Sequence, residues 1–149
     1  MKKTAWPIGL VGLILLGMYI GAGMLQTQPP QPTVRADGKT VRAYLGSYCW
    51  NSMFNGRCVD TIGPVGIIEH HHANPLAISP GSTITVKYRK KPTKDSVGAN
   101  LWNQNNERKA VILKRHSFTA PKEKGTYVYD VFASWEKGSA SHVFVITVK

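Results

Sequence analysis

The sequence predicts an all-β domain, an antiparallel β-sandwich, behind a single N-terminal transmembrane helix. Three observations carry this. Apolar and polar residues alternate with a period of two in stretch after stretch from Thr40 onward, with Gly, Pro and Asn turn signals between them. Nothing after Leu25 sustains a 3.6-residue period; at most a short helical turn fits Gly66 to His70. Ahead of all this, an uncharged apolar run from Ala5 to Leu25 follows Lys2 and Lys3.

The apolar run comes first in the chain. Trp6 to Leu25 is 20 residues, and at roughly 1.5 Å per residue a helix of that length matches the hydrocarbon core of a bilayer. Pro7 falls in the first turn, where its missing N–H costs little. Lys2 and Lys3 hold the N-terminus in the cytoplasm, which places the C-terminal domain outside. A cleaved secretory signal, cut at Gly21-Ala22-Gly23, is the alternative and would give a secreted protein. A lipoprotein is excluded, because no Cys lies near the end of the run. Residues 1–25 are therefore read as a signal-anchor, residues 26–37 (with QTQPPQP) as a Pro/Gln-rich stalk, and residues 38–149 as one extracytoplasmic domain.

Strands follow in order. Val41, Ala43 and Leu45 alternate with Arg42 and Tyr44. Pro80-Gly81-Ser82 launches TITVKYR, with Ile84, Val86 and Tyr88 on one face. Ala110 to Leu113 is a short apolar run. The clearest pair closes the chain: in residues 125–135, Tyr127, Tyr129, Val131, Ala133 and Trp135 share one face and Val128, Asp130 and Phe132 the other. After a turn at Lys137-Gly138-Ser139, SHVFVITVK completes a terminal hairpin. That last strand is apolar on both faces, which puts it deep in its sheet.

Two cysteines, Cys49 and Cys58, have eight residues between them. In an exported chain they most simply form one disulfide, and Asn55-Gly56 supplies the tight turn that brings them together. The C-x-x-C spacing of a redox pair is absent; free thiols are the other reading.

Charge is lopsided. From Arg35 onward there are 17 Lys and Arg against 8 Asp and Glu. Outside a cell, such a surface meets an anionic wall polymer or lipid headgroups rather than nucleic acid. The densest cluster is Lys87, Arg89, Lys90, Lys91 and Lys94, which straddles a strand end and a turn at Pro92 and is the expected contact rim for an anionic ligand. A solvated basic surface is the plain alternative.

Glu69-His70-His71-His72 holds the residue types of a metal site. On a strand, His70 and His72 would share a face, and His116, His142 or Asp60 would have to supply a third ligand. The plain reading is an exposed loop, so no cofactor is expected unless the fold gathers that set. The order of Cys and His opposes a blue-copper site and a cysteine nucleophile. No G-x-S-x-G or S-x-x-K occurs, and most acids stand in turns beside Lys or Arg. These observations point to a non-catalytic protein. Asp130 is the odd acid, alternating into a strand between Val128 and Phe132. Trp50, Trp102 and Trp135 could stack on sugars; inward packing is the simpler role, at least for Trp135. A protein partner docking on an exposed strand edge is a further alternative.

Ala120-Pro121-Lys122-Glu123-Lys124-Gly125-Thr126-Tyr127-Val128-Tyr129 resembles the loop and penultimate strand of immunoglobulin-like domains, where a P-x-x-x-G turn leads into a tyrosine-bearing strand. Ser79-Pro80-Gly81-Ser82-Thr83-Ile84 is similar to an earlier strand opening of the same domains. With the anchor, the chain resembles small membrane-anchored immunoglobulin-like proteins exported by Gram-positive bacteria, whose functions are mostly unassigned. The resemblance implies a fold and a location and carries over no catalytic residue. The disulfide departs from the antibody pattern, in which a distant pair bridges the sheets.

Overall fold

The computed structural model describes residues 11–12, 28–52 and 55–149. The apolar run read as a membrane anchor lies outside them apart from Val11 and Gly12, and among the described residues no helix is long and apolar enough to cross a membrane.

The strands are β1 (Pro32–Ala36), β2 (Lys39–Val41), β3 (Tyr44–Asn51), β4 (Gly56–Val59), β5 (Leu76–Ile78), β6 (Thr83–Tyr88), β7 (Gly98–Trp102), β8 (Arg108–Val111), β9 (Ser117–Thr119), β10 (Gly125–Trp135) and β11 (Gly138–Val148); a short helix, α1 (Pro64–His70), precedes β5. They form two sheets. The smaller has the order β2-β1-β6-β9, and the larger β4-β3-β11-β10-β7-β8. Every pairing is antiparallel except β5 with β11, which is parallel.

The terminal hairpin is the spine. β10 and β11 pair from Gly125↔Val148 to Trp135↔Gly138. On its other edge β11 takes β3 along its first half and β5 along its last residues. A strand flanked on both edges is buried on both faces, as its continuous apolar run implies. Inward, Phe144 and Ile146 meet Tyr129 and Val131 and pack against Val34, Ile84, Val86 and Phe118 of the smaller sheet. Outward, Val143 and Val145 are also buried, and α1 lies against β3, β10 and β11 with Ile67 buried. Trp50, Ala133, Trp135 and Ala140 form a second apolar cluster toward the β10–β11 turn. There the backbone approach is close: a Cβ on Gly138 would fall 2.0 Å from the Cys49 carbonyl oxygen.

Two expectations are corrected. The segment read as a stalk over 26–37 already contains β1, with Val34 and Ala36 in the core and Pro29 and Pro30 buried, so the sandwich begins at Pro32. The physical reason is the Asp37-Gly38 turn, at φ 48° and 71°, which folds β2 back on β1 and gives the short Thr33–Ala36 alternation a partner. The Glu69–His72 stretch is not a strand. His70 ends α1 and His72 sits at φ 46°, so the shared face expected of His70 and His72 does not exist. Pro64 at the helix start favours that geometry.

The disulfide is present. Cys49 and Cys58 stand directly opposite in the β3–β4 pair, with Cα atoms 4.0 Å apart.

Candidate functional site

The expected basic rim lies around the loop from Arg89 to Val97, and neighbouring strands fasten that loop. The Trp135 indole N–H donates to the Lys90 carbonyl at 3.0 Å. The Thr93 amide donates to the Ser134 carbonyl at 2.8 Å, and the Ser96 hydroxyl donates to the Thr93 carbonyl at 2.8 Å. The buried end of β10 thus sets the path of the loop, and the lysines project from a fixed backbone.

A second fastened loop faces it. Lys114 and Ser117 bridge across a two-residue turn, and the His116 carbonyl accepts the Val86 amide of β6 at 2.9 Å. The turn residues are Arg115 and His116, at φ 50° and 64°. This is the left-handed region, which Asn and Gly occupy far more readily in such a turn.

Between the loops lies a cavity of about 300 Å³, lined on its polar side by Lys91, Lys94, Arg115 and His116 with one acid, Asp95. An adjoining hollow of about 240 Å³ shares Lys91, Pro92 and His116 and adds Lys87 and Arg89. Four of the five expected residues, Lys87, Arg89, Lys91 and Lys94, are therefore brought together. Lys90 lines neither; it stands on the other side of Lys91, Pro92 and Thr93, in a hollow with Trp135 and Glu136. Arg115 and His116 complete the site; in sequence His116 stands out only as a candidate third metal ligand and Arg115 not at all, because no turn signal marks them.

The remaining candidates fall elsewhere. Among the described residues no three His, Cys, Asp or Glu gather as a metal site. His70, His71 and His72 are exposed, and His71 stacks on Tyr44 at 4.6 Å. His116 lines the basic cavity, while His142 is fully buried between the sheets. Neither His142 nitrogen has a hydrogen-bond partner, nor has the Tyr88 hydroxyl nearby, the two rings being 6.2 Å apart. Burial pushes the His142 imidazole down to about 4 and the Tyr88 phenol up.

Asp130 is not the solvated acid that an open face would make it. It is 7% exposed, on the outer face of the larger sheet. Its Oδ1 accepts from the Trp102 indole N–H and from the Asn100 amide at 3.1 Å. Burial pushes its carboxyl up, against the downward pull of those two donors. Trp102 and Asn100 belong to β7 rather than to a long loop, opposite Val128 and Asp130 of β10. Trp50 and Trp135 pack in the second apolar cluster, their rings 5.7 Å apart and edge to face.

No protein family, curated protein or solved structure matches the chain.

Proposed function

We propose that this chain is a membrane-anchored, non-catalytic binding domain of the cell envelope, an immunoglobulin-like sandwich that holds anionic groups in the cleft between the Arg89–Val97 loop and the Arg115–His116 turn. The observation that carries the reading is that cleft. Two loops distant in sequence, each tied to a strand by backbone hydrogen bonds, set Lys91, Lys94 and Arg115 around one cavity with a single acid in its lining. Cations that project from a fastened backbone around a concave site select an anion more strongly than the same charges spread over a convex surface.

The turn adds a second argument. Two consecutive non-glycine residues in left-handed conformation cost roughly 1–2 kcal/mol each. An Asn-Gly pair would relieve part of that cost and would also remove the guanidinium and imidazole from the cavity. Arg115 brings five N–H donors in a fork suited to phosphate or carboxylate.

The envelope location rests on the Lys2-Lys3 apolar run and agrees with a disulfide on an exposed hairpin. The immunoglobulin-like reading is supported by the two packed sheets and by Tyr127. Its hydroxyl donates to the Glu123 carbonyl at 2.9 Å, at the corner that leads into β10, as the tyrosine corner of that fold does.

The test is isothermal titration of the full chain, in uncharged detergent, with long-chain polyphosphate at low and high salt. Lys91→Gln with Arg115→Gln should weaken binding at least about tenfold, whereas Lys122→Gln with Lys124→Gln, an equal change of charge on another turn, should leave it within about twofold. Equal losses from the two pairs would mean that diffuse surface charge, and not the cleft, holds the anion.

A further inference from the structure

The two hollows that share Lys91 and His116 do not end at Lys87. A third depression, of about 290 Å³, begins at the same lysine and runs over the outer face of the smaller sheet, past Thr33, Thr85 and Arg35 to Thr83 and the Asp37-Gly38 turn. The register fixes this arrangement, since Thr33 lies opposite Lys87 and Arg35 opposite Thr85 in the β1–β6 pair. Lys91, Pro92 and His116 join the first depression to the second, and Lys87 joins the second to the third. Six cations stand along this line: Arg35, Lys87, Arg89, Lys91, Lys94 and Arg115. At roughly 3.3 Å per residue, the stretch from Thr83 to Arg89 alone extends roughly 20 Å.

Two acids, Asp95 and Asp37, line the same track, so six cations face two carboxylates and the balance stays positive. Asp95 lies at one end. Asp37, at the other, is engaged with the serines of the neighbouring turn: its carboxylate accepts the Ser79 amide at 2.7 Å. Hydrogen bonding, from the Ser82 side chain foremost, holds its carboxyl below the usual carboxylate range.

We infer that this track binds a linear phosphate-bearing polymer, one chain occupying the three depressions in succession, with Arg35 the last cation along it. The inference rests on the binding reading above and extends it from one cavity to a length of chain. Charge complementarity selects an anion. The concavity, continued from one depression to the next, selects a strand over a flat membrane surface, which would touch only the rims. Threonine hydroxyls interleaved with Arg and Lys suit phosphate oxygens, which accept from both. Nucleic acid fits less well. Among the residues lining the three depressions the aromatic rings are Tyr88, packed against Trp135 with its hydroxyl buried, and His116, and no Trp or Phe offers the row of stacking platforms that bases need.

The experiment compares tripolyphosphate with long-chain polyphosphate on the full chain in uncharged detergent, across a salt series. The long chain should bind at least about thirtyfold more tightly, with a steeper fall of log affinity against log salt, because more cations are neutralised. Arg35→Gln should weaken the long chain about three- to tenfold and reduce its salt slope by about 1, while leaving tripolyphosphate unchanged. Lys87→Gln, at the join between depressions, should weaken the long chain at least as much and reduce its salt slope by about 1, so the result does not hang on one substitution. Affinity that stops rising beyond tripolyphosphate, or an Arg35→Gln chain that binds the long polymer normally, would overturn the track and leave the single cleft standing. Equal binding of a thymidine oligonucleotide of matched charge would overturn the assignment to a base-free phosphate polymer. Failure of every phosphate probe to bind would remove the cleft as well.

Discussion

On the outside of the smaller sheet, Thr33, Arg35, Thr83 and Lys87 stand exposed; on the outside of the larger one, α1 lies over β11, Val143 and Val145 are buried, and Asp130 is held by Trp102 and Asn100. Both faces belong to strands of the same alternating kind. The difference lies in what covers them. On the larger sheet the outward residues beneath α1 and around Asp130 have become a second interior, so changes there act on stability. On the smaller sheet they remain in water, so changes there leave the fold intact and act on whatever binds. The same contrast separates two buried polar groups on the paired strands β10 and β11. Asp130 has two donors on one oxygen, and His142, across the sheet in the core, has none.

The largest effect belongs to the larger sheet. Gly138→Ala drives a methyl into the Cys49 carbonyl at a φ of 143°, and should destabilise by about 3 kcal/mol or more, a fall of roughly 10 °C in Tm. Thermal melting measures it, and polyphosphate affinity well below the melt should stay at the parent value. A loss of affinity without a loss of stability would break the division between the faces.

The two buried polar groups should respond with opposite signs. Asp130→Ala leaves the Trp102 and Asn100 donors without their acceptor and should cost about 1–3 kcal/mol. His142→Leu removes two unpartnered nitrogens at little change of volume and should raise the Tm. Their pH dependences also oppose. The His142 imidazole is held down to about 4 by burial, against about 6.5 when unfolded, so the unfolded chain binds the proton first as the pH falls. Its effect is to leave stability full above about pH 6.5 and to remove about 3 kcal/mol on the way down to pH 4. Asp130, raised by burial, favours the folded state below the ordinary carboxylate range and loses that preference as the pH rises through its folded value. Melting curves between pH 4 and 7 should therefore flatten in His142→Leu and steepen in Asp130→Asn. Identical curves in parent and His142→Leu chains would contradict the placement of that imidazole.

A smaller effect sharpens the comparison from the other side. Arg115→Asn with His116→Gly relieves the left-handed turn and should raise stability by about 1–2 kcal/mol while weakening polyphosphate binding severalfold. Melting and titration of the same sample read both. A variant that gains stability and keeps its affinity would take the turn out of the site.

Much of the fold was legible because it is local. The eleven-residue strands β10 and β11 hold their alternation long enough to be unambiguous, and Asn55-Gly56 marks the disulfide hairpin. Shorter elements were harder. β1 offers only Thr33 to Ala36 as a pattern inside a proline-rich stretch and escaped, although Asp37-Gly38 was a hairpin signal that could have exposed it. The helical turn expected at Gly66 to His70 is there as the end of α1, whose start at Pro64 did not show because seven residues with Gly66 among them are too few for a helical period. Half of the site was legible, since the Lys87–Lys94 cluster is contiguous in the chain. Arg115 and His116 were not, because they reach the cavity through pairing of β9 with β6, and no residue type at the turn announces it. Asp130 shows the same limit: alternation assigns its face, but only the tertiary structure decides whether that face is covered.

The most direct test of the account is a map of backbone amide shifts of the full chain in uncharged micelles as tripolyphosphate is added. The expected result is a cluster of perturbed amides over residues 87–95 and 114–117, with residues 99–102 and 128–132 unmoved. Shifts centred on Asn100, Trp102 and Asp130, or spread evenly over both sheets, would contradict a binding site built between the two fastened loops.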